Sequence, residues 1–316
     1  MPIRPKKTLL IVLLIIGIAA FFRLFALGTV PPGLYPDEAM NGNNALEALR
    51  THDFKTFYQE NNGREGLYIN LLAGVLALFG NEIWALRLLP ALFGILTVLF
   101  TYLFTKELFK NNTVALLAAF FMAISFWHIN FSRIGFRAIM APFFLTSSFY
   151  FLLLTLRENI SDTKQKLAAA AGGVLFGLGF HSYIAYRIMP LLLIFPALLI
   201  WKKQGLSFLG KKGCLWCSFA LFIFFMIIAG LPLGMYYLQH PSDFLGRTSQ
   251  ISILDTSSPV KTLITNTFRT IGMFWFAGDG NWRHNFRGQP QLWGPIGLLF
   301  VLGIIISIIK LFKNSK

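Results

Sequence analysis

The sequence contains little charge, few acidic residues and only two cysteines. Charged side chains make up 13% of the 316 residues, hydrophobic ones 55% and aromatic ones 16%, and the mean hydropathy is +0.62. A soluble domain needs more polar surface than this, so an ordinary soluble protein is excluded. The composition is typical of an all-α polytopic membrane protein, with the 34 Phe and 7 Trp at lipid-facing and interfacial positions.

Two cysteines are too few for a zinc site, which takes about four ligands. Cys214 and Cys217 open a hydrophobic run, so we expect them to pack rather than to bind a metal or act as a redox pair. Lys and Arg outnumber Asp and Glu by 28 to 13. Because no basic run is interleaved with aromatic residues, nucleic acid is not an expected partner, and the positive charge instead predicts topology and contact with membrane lipids.

The distribution of lysine decides between two topologies. If the run at 66–80 crossed the membrane, every later lysine-rich link would face outward, against the positive-inside rule. That run is also short for a crossing, so we expect an interfacial helix there and both termini in the cytoplasm. The predicted spans are 8–28, 83–105, 113–130, 141–157, 166–182, 185–201, 214–238 and 291–310. The first is too long for a signal-peptide core and is expected to be retained.

A polar segment from Pro31 to Gly66 follows the first predicted span, and Asp37 and Glu38 are its most distinctive residues. Adjacent carboxylates just outside a membrane can take a proton from an acceptor or hold a cation or a sugar hydroxyl. The same two residues suit the start of a helix, with Asp37 as N-cap and Glu38 in the first turn. Both interpretations stay open, and they are compatible because a cap would fix the carboxylate.

In this topology the cytoplasmic basic residues are mostly Lys, whereas the other basic residues are mostly Arg. Arg binds phosphate in a bidentate manner, so the outer face is expected to bind an anionic ligand. Alternatively, these arginines snorkel or pair with outer carboxylates, the histidines pack, and the glycine-flanked Asp279 forms a tight turn. The candidate substrate-binding residues are Arg64, Glu65, Tyr68, Arg133, Arg137, His181, Tyr183, Arg187, Asp279, Arg283, His284 and Asn285.

The order of several short motifs resembles the GT-C glycosyltransferases of family 39, which include protein O-mannosyltransferases and lipid A aminoarabinose transferases. The motifs are PDEA after one span, then NNGREGLY and ALRLLPALFGILTVLFTYLFTKELF, and the bacterial-type segments SRIGFRAIMAPFF and GDGNWRHNFRGQP. The resemblance covers nearly the whole chain. It implies one GT-C-like transmembrane domain over 1–316, with a first outer loop at 29–82 and a second long outer loop at 239–290.

The resemblance implies a glycosyltransferase that moves a hexosyl or pentosyl group from a polyprenyl- or dolichyl-phosphate-linked donor to a lipid, glycan or protein acceptor. The reaction would take place on the outer face of the cytoplasmic membrane, with Asp37 and Glu38 as the catalytic carboxylates. Relatives usually continue with further helices or an outer domain, and we expect that extension to be absent after Lys316. The alternative is a non-catalytic subunit that binds or transports a polyprenyl-phosphate-linked sugar.

One departure from the family concerns metal binding. Many relatives carry an acidic residue in the second outer turn, but this sequence has no Asp or Glu between Glu107 and Glu158. A site built from two carboxylates is therefore in doubt. The resemblance leaves a divalent metal open, and the missing carboxylate disfavours it, so no metal ligands are predicted.

Overall fold

The computed structural model describes residues 5–157, 160–205, 214–250, 252–253, 256–286, 288–292 and 294–313. Nearly all of its regular structure is helical. In chain order the elements are α1 (Pro5–Leu24), α2 (Pro36–Thr51), β1 (Phe57–Tyr58), β2 (Arg64–Glu65), α3 (Gly66–Phe79), α4 (Ile83–Phe109), α5 (Asn112–Ile124), α6 (Phe126–Phe131), a 3-10 helix (Arg137–Ile139), α7 (Met140–Thr155), α8 (Asp162–Gly179), a second 3-10 helix (Ile184–Leu193), α9 (Ile194–Gln204), α10 (Leu215–Gln239), α11 (Pro241–Gln250), α12 (Pro259–Gly272) and α13 (Pro295–Lys313).

The helices confirm the predicted all-α membrane fold. By length and composition, five helical stretches of the described chain could cross a membrane, namely Lys6–Leu24, Ile83–Phe109, Arg137–Thr155, Ile184–Lys203 and Leu215–Gln239. Three shorter apolar helices are Gly66–Phe79, Asn112–Ile124 and Pro295–Lys310. The count of eight spans stays a prediction. Helix α3 is about 21 Å long at 1.5 Å per residue, which supports the predicted interfacial position because the hydrocarbon core is about 30 Å thick.

The chain divides into two compact units. The first contains Met1–Ile124 and Phe131–Arg247, and the second contains Ser125–Asn130 and Thr248–Lys316. In the first unit, α4 packs against α1, α3, α5 and α7, and α8 packs against α7 and α10. The apolar core of this unit includes Tyr68, Phe143, Phe176 and Phe222. The predicted division of the run 167–201 is confirmed, because α8 ends at Gly179 and the next helix begins at Ile184.

Small residues on α8 allow its close approach to α10, as the sequence predicts for this glycine-rich helix. A Cβ atom at Gly173 would overlap the carbonyl oxygen of Phe222 and lie 3.0 Å from the Cβ of Phe225. At Gly177 it would lie 2.7 Å from the Cβ of Ala229. The two helix backbones are therefore in contact over about one turn, with no room for larger side chains.

Replacing Gly173 by Ala is expected to destabilise the protein by about 1–3 kcal/mol, because the added methyl group meets backbone that cannot move aside easily. The measurement is the thermal unfolding midpoint of purified protein in detergent. Gly74→Ala in α3 is the matched control, since nothing lies within 4 Å of a Cβ there. Removing a helical glycine at that position should be neutral or stabilising. Equal midpoints for the two variants would contradict the packing described for α8.

Cys214 and Cys217 form a disulfide at the start of α10. The Sγ of Cys214 also accepts a hydrogen bond from the backbone N–H of Cys217 at 3.0 Å. The prediction that these cysteines only pack is therefore corrected, because the short spacing across the helix start brings the two sulfur atoms together.

Candidate active site

Asp37 lies in the first turn of α2. The helix begins at Pro36, a residue well suited to the first helical position, and its N-cap is Tyr35 rather than Asp37. The predicted helix start is therefore confirmed, with the cap two residues earlier than expected. Asp37 is half-buried, and its Oδ1 accepts a hydrogen bond from Asn61 Nδ2 at 2.6 Å. This contact fixes the direction of the carboxylate at a helix end that favours negative charge.

Glu38 is buried, unlike Asp37, and forms an ion pair with Arg87 of α4. Arg87 donates from Nε to Glu38 Oε1 at 2.7 Å and from Nη2 to Oε2 at 3.1 Å. Both side chains are at most 2% exposed. The same guanidinium also donates to the carbonyl oxygens of Leu27, Pro31 and Gly33. The ion pair thus ties the start of α2 to α4 and to the loop that follows α1.

The hairpin of β1 and β2 brings Asn61 to Asp37. Phe57 pairs with Glu65 and Tyr58 with Arg64, and the turn between the strands contains Asn61, Asn62 and Gly63. All three turn residues are left-handed, with φ of 52°, 62° and 79°. Asn and Gly tolerate this conformation better than other residues do. The Asn-Asn-Gly sequence therefore determines the turn and, through it, the position of the Asn61 amide.

Arg64 joins the hairpin to α2 and is 1% exposed. Its Nη1 donates to Asn41 Oδ1 at 2.7 Å, and its Nη2 donates to Asn44 Oδ1. Since Asn41 and Asn44 follow Asp37 at helical spacing, the three side chains share one face of α2. Burial lowers the pKa of Arg64, and the charge of the neighbouring Arg137 lowers it further. Arg64 therefore supports the helix that carries Asp37.

Glu65, at the start of α3, forms a second buried ion pair. Arg137 Nε donates to Glu65 Oε2 at 3.1 Å, and both side chains are less than 10% exposed. The guanidinium carbon of Arg137 lies 5.5 Å from the centre of the Tyr183 ring. Tyr68, in the first turn of α3, is fully buried in the adjoining core. The structure thus brings Glu65, Arg137 and Tyr183 together beside the hairpin.

Arg187 is the most exposed of the four candidate arginines in the first unit. It donates to the carbonyl oxygen of Phe244 at 2.9 Å and to the hydroxyl of Tyr237 at 2.8 Å. Its guanidinium carbon lies 4.4 Å and 4.9 Å from the ring centres of the same two residues. His181 is buried, and its Nε2 carries the proton because it lies 3.0 Å from the Ala229 carbonyl oxygen, which can only accept.

Arg133 binds the end of α1. Its guanidinium donates to the carbonyl oxygens of Phe22 at 2.8 Å, Phe25 at 2.8 Å and Val30 at 2.7 Å. Carbonyl groups at a helix C-terminus lack intrahelical donors, so this arginine serves as a cap. The segment between Arg133 and Arg137 is a turn. The two arginines therefore bind different parts of the first unit.

The remaining candidates form a cluster of their own in the second unit. Asp279 Oδ1 accepts from the backbone N–H of Asn281 at 2.9 Å, and its Oδ2 lies 3.0 Å from His284 Nδ1. Asn285 donates to the carbonyl oxygens of Asp279 and Gln289, and the Arg283 carbonyl accepts from Asn130. The first contact is that of an Asx-turn, in agreement with the tight-turn interpretation of Asp279.

The Asp279 turn should weaken in acid. The Asn281 N–H, and to a smaller extent His284, hold the pKa of Asp279 below its usual value. Such a carboxyl stabilises the fold above its unfolded pKa of about 3.9, and that contribution is lost as pH falls through the lower folded value. Hydrogen exchange of residues 278–286, corrected for intrinsic rates, should therefore stay constant between about pH 7 and pH 5 and accelerate below about pH 4.

In the Asp279→Ala variant, the backbone amides of residues 278–286 should exchange rapidly at every pH. Asp53→Ala is the control for this experiment, because Asp53 is exposed and lies 3.9 Å from Lys55, its ion-pair partner. Its exchange profile over residues 278–286 should match that of the wild-type protein. Accelerated exchange of the wild-type segment already between pH 7 and pH 5 would contradict the lowered pKa of Asp279.

Sequence reasoning did not identify Arg87, Asn41, Asn44 and Asn61 as site residues. A signal existed for Arg87, because an arginine inside an apolar helix needs a buried partner. A second sequence signal existed for Asn41 and Asn44, because both lie at helical spacing from Asp37. The role of Asn61 depends on the turn geometry and could not be read from spacing along one helix.

Residues 66–245 match the family model of the dolichyl-phosphate-mannose-protein mannosyltransferases, and this match covers more than half of the chain. The chain belongs to this family. Among curated proteins, this family member is similar to dolichyl-phosphooligosaccharide-protein glycotransferase 2 of Pyrococcus furiosus, with 26% identity over 213 residues. The alignment covers 63% of this chain and 24% of that protein. The chain therefore spans about a quarter of the length of this relative.

Solved structures with a similar fold include two lipid-phosphate complexes. ArnT from Cupriavidus metallidurans bound to undecaprenyl phosphate has a TM-score of 0.55 and 15% identity, over 77% of this chain and 43% of that one. The oligosaccharyltransferase AglB from Archaeoglobus fulgidus, in complex with an inhibitory peptide and a dolichol-phosphate, has a TM-score of 0.50 and 18% identity, over 85% and 37%.

A further Archaeoglobus fulgidus oligosaccharyltransferase structure, in complex with Zn and sulfate, has a TM-score of 0.56 and 17% identity, over 96% of this chain and 43% of that one. These similarities show that the chain has the expected GT-C-like fold. The bacterial type suggested by two motifs stays a prediction.

The side chains around Asp37 show whether this region could hold a metal ion. Among the described residues, no group of three or more His, Cys, Asp or Glu side chains could hold a metal ion. Asp37 accepts from an amide, and the neighbouring carboxylates of Glu38 and Glu65 each face an arginine. The side chains around Asp37 therefore do not fit a metal site.

Proposed function

We propose that the chain is a membrane glycosyltransferase that moves a sugar from a polyprenyl-phosphate-linked donor to an acceptor hydroxyl on the outer face of the membrane. The observation that carries this proposal is the half-buried Asp37, held by Asn61 on a helix whose start is fixed by the Glu38–Arg87 ion pair. A general base needs both access and a fixed direction, and Asp37 has both. Family membership and the lipid-phosphate complexes of the similar structures support the donor class.

In the proposed reaction, Asp37 accepts the proton of the acceptor hydroxyl as its oxygen attacks the anomeric carbon. The bond between that carbon and the phosphate oxygen breaks on the opposite face, so the configuration is inverted and a polyprenyl phosphate monoester leaves. Because the leaving group is a stable dianion, positive charge matters more than an acid at this step. We assign that charge to Arg187, the most exposed of the candidate arginines in the first unit, and to Arg137, whose guanidinium lies near Tyr183.

Four of the other predicted residues are proposed to position these groups. Glu38 and Arg64 hold α2 from two directions, and Glu65 holds Arg137. Tyr68 packs beneath the start of α3. We therefore assign the proton transfer to Asp37 alone and treat Glu38 as a positioning residue.

The test is a transfer assay with the purified chain in liposomes. A mixture of polyprenyl-phosphate-linked sugars is supplied with candidate lipid, glycan and peptide acceptors, and mass spectrometry measures the remaining donor and the free polyprenyl phosphate. Consumption of one donor with release of polyprenyl phosphate is expected, and the consumed donor names the sugar. Liposomes without the protein are the control. A donor that binds but is never consumed with any acceptor would contradict the proposal and favour a non-catalytic binding subunit.

A further inference from the structure

Helix α12 presents an apolar face to the exterior of the protein. All 14 residues of this helix are described, and none of them is buried. Its apolar residues recur three or four positions apart, so they share one side of the helix. They are Val260, Leu263, Ile264, Phe268 and Ile271, and each is at least 50% exposed. A single exposed apolar residue is ordinary, whereas a continuous apolar face of this kind indicates a surface that binds a partner.

The polar residues of α12 leave this face intact. Thr267 lies on the apolar side, but its hydroxyl donates to the Leu263 carbonyl oxygen at 2.8 Å and is satisfied within the helix. Lys261 and Arg269 are exposed, and the sequence of α12 contains no Asp or Glu. An apolar face combined with basic residues is typical of helices that lie in the membrane interface, where the cations meet anionic headgroups.

The end of α12 is held beside the beginning of α13, and both helices belong to the second unit. The backbone N–H of Gln291 donates to the Met273 carbonyl oxygen at 2.9 Å, and that of Leu292 donates to the Phe274 carbonyl oxygen at 3.2 Å. The ring of Phe274 also stacks on that of Phe300, in the second turn of α13, with centres 6.0 Å apart. The segment after α12 is thus joined to the start of α13.

Helix α13 is itself suited to the interior of a membrane. It has 19 residues and is about 28 Å long, close to the thickness of the hydrocarbon core. No charged side chain occurs between Pro295 and Ile309, and most apolar side chains from Leu298 to Ile309 are exposed. A protein bound to α12 alone would leave these side chains in water, whereas a lipid bilayer covers the apolar surfaces of both helices.

We propose that α12 binds the surface of the lipid bilayer, with its apolar face among the acyl chains and with Lys261 and Arg269 toward the headgroups. The helix is about 21 Å long, too short to cross, so it lies along the surface at the point where α13 enters. The segment 273–292, which contains the Asp279 turn, is then held at the level of the headgroups. This inference does not depend on the proposed transfer reaction.

Nitroxide labels on the full chain, in liposomes of phosphatidylcholine and phosphatidylglycerol, test this proposal. The native cysteines form a disulfide, so each label is attached to one introduced cysteine. Ile264→Cys and Ile271→Cys place the label on the apolar face, and Asn266→Cys is the matched control on the polar side. Electron paramagnetic resonance with oxygen and an aqueous nickel complex as relaxing agents measures the depth of each label below the lipid phosphates.

The two apolar-face labels are expected about 5–10 Å below the phosphates. The Asn266→Cys label should lie about 10 Å further out, because the two sides of a helix are separated by its diameter. An unchanged elution volume of each labelled variant is the check on folding, and the second apolar-face position guards against a local effect of the first.

Two results would overturn the proposal. Equal access of the nickel complex to all three labels would place α12 in water. Apolar-face labels that neither oxygen nor the nickel complex reaches would show that protein covers this face, either a second copy of the chain or another part of the same one.

Discussion

Replacing Asp37 by Asn is expected to lower the rate of sugar transfer by about 10²–10⁴-fold while the protein stays folded and binds its donor. An amide oxygen can still accept the hydrogen bond from Asn61, so the first turn of α2 keeps its contact with the hairpin. The amide cannot take the proton of the acceptor, so the loss should appear in kcat rather than in donor affinity. Release of free polyprenyl phosphate measures kcat, and a donor titration measures affinity.

Asp53→Asn is the matched control for this prediction. It makes the same chemical change in the same outer loop, at a side chain that is 63% exposed and lies 3.9 Å from Lys55. Its transfer rate should remain close to that of the wild type. Full activity of Asp37→Asn would remove Asp37 from the chemistry, and equal losses in both variants would show that the loop responds to charge alone.

Replacing Arg87 by Met is expected to destabilise the protein by about 3–5 kcal/mol, because it leaves the Glu38 carboxylate buried without its cationic partner. The change also removes the donor to three carbonyl groups between α1 and α2. Thermal unfolding in detergent measures the effect. Arg50→Met, at the exposed end of α2, is the control and should change stability by less than about 1 kcal/mol.

The variant Glu38→Gln tests whether Glu38 only positions α2 or takes part in the reaction. The amide still accepts from Arg87, so this variant should be more stable than Arg87→Met, and its remaining activity should track the fraction of folded protein. An inactive Glu38→Gln protein with wild-type stability would assign Glu38 a role in the reaction. That result would contradict the positioning role.

Much of the fold follows from the sequence because membrane helices are encoded locally. Long apolar runs predicted α1, α4 and α10 within a few residues, and the lysine pattern predicted that the run 167–201 is two elements. The glycines of α8 predicted its close packing. The sequence could not predict where α5 ends. The helix stops at Ile124 although the hydrophobic run continues to residue 130, because hydropathy does not detect a local break in a helix.

The candidate site was less predictable because its contacts join distant segments. Asp37 and Glu38 are adjacent in the sequence, yet one side chain is accessible and the other is buried against a helix that begins at Ile83. The arginine bias predicted an anionic ligand on the outer face, and this stays a prediction. It did not reveal that Arg64 and Arg133 bind mostly amide and carbonyl oxygens of the protein itself, since that depends on the turn at Gly63 and on the end of α1.

The ties around α2 have a mechanical consequence. The helix is joined to α4 by one ion pair. The hairpin beside it is joined by another to the 3-10 helix that precedes α7, and to α11 through a 2.9 Å hydrogen bond from Gln59 to Asp243. Although Asp37 belongs to a loop between two membrane helices, its backbone is braced like part of the bundle. In the proposed reaction the acceptor therefore moves to a carboxylate whose backbone is held in place, and the flexibility of the acceptor determines how often its hydroxyl reaches Asp37.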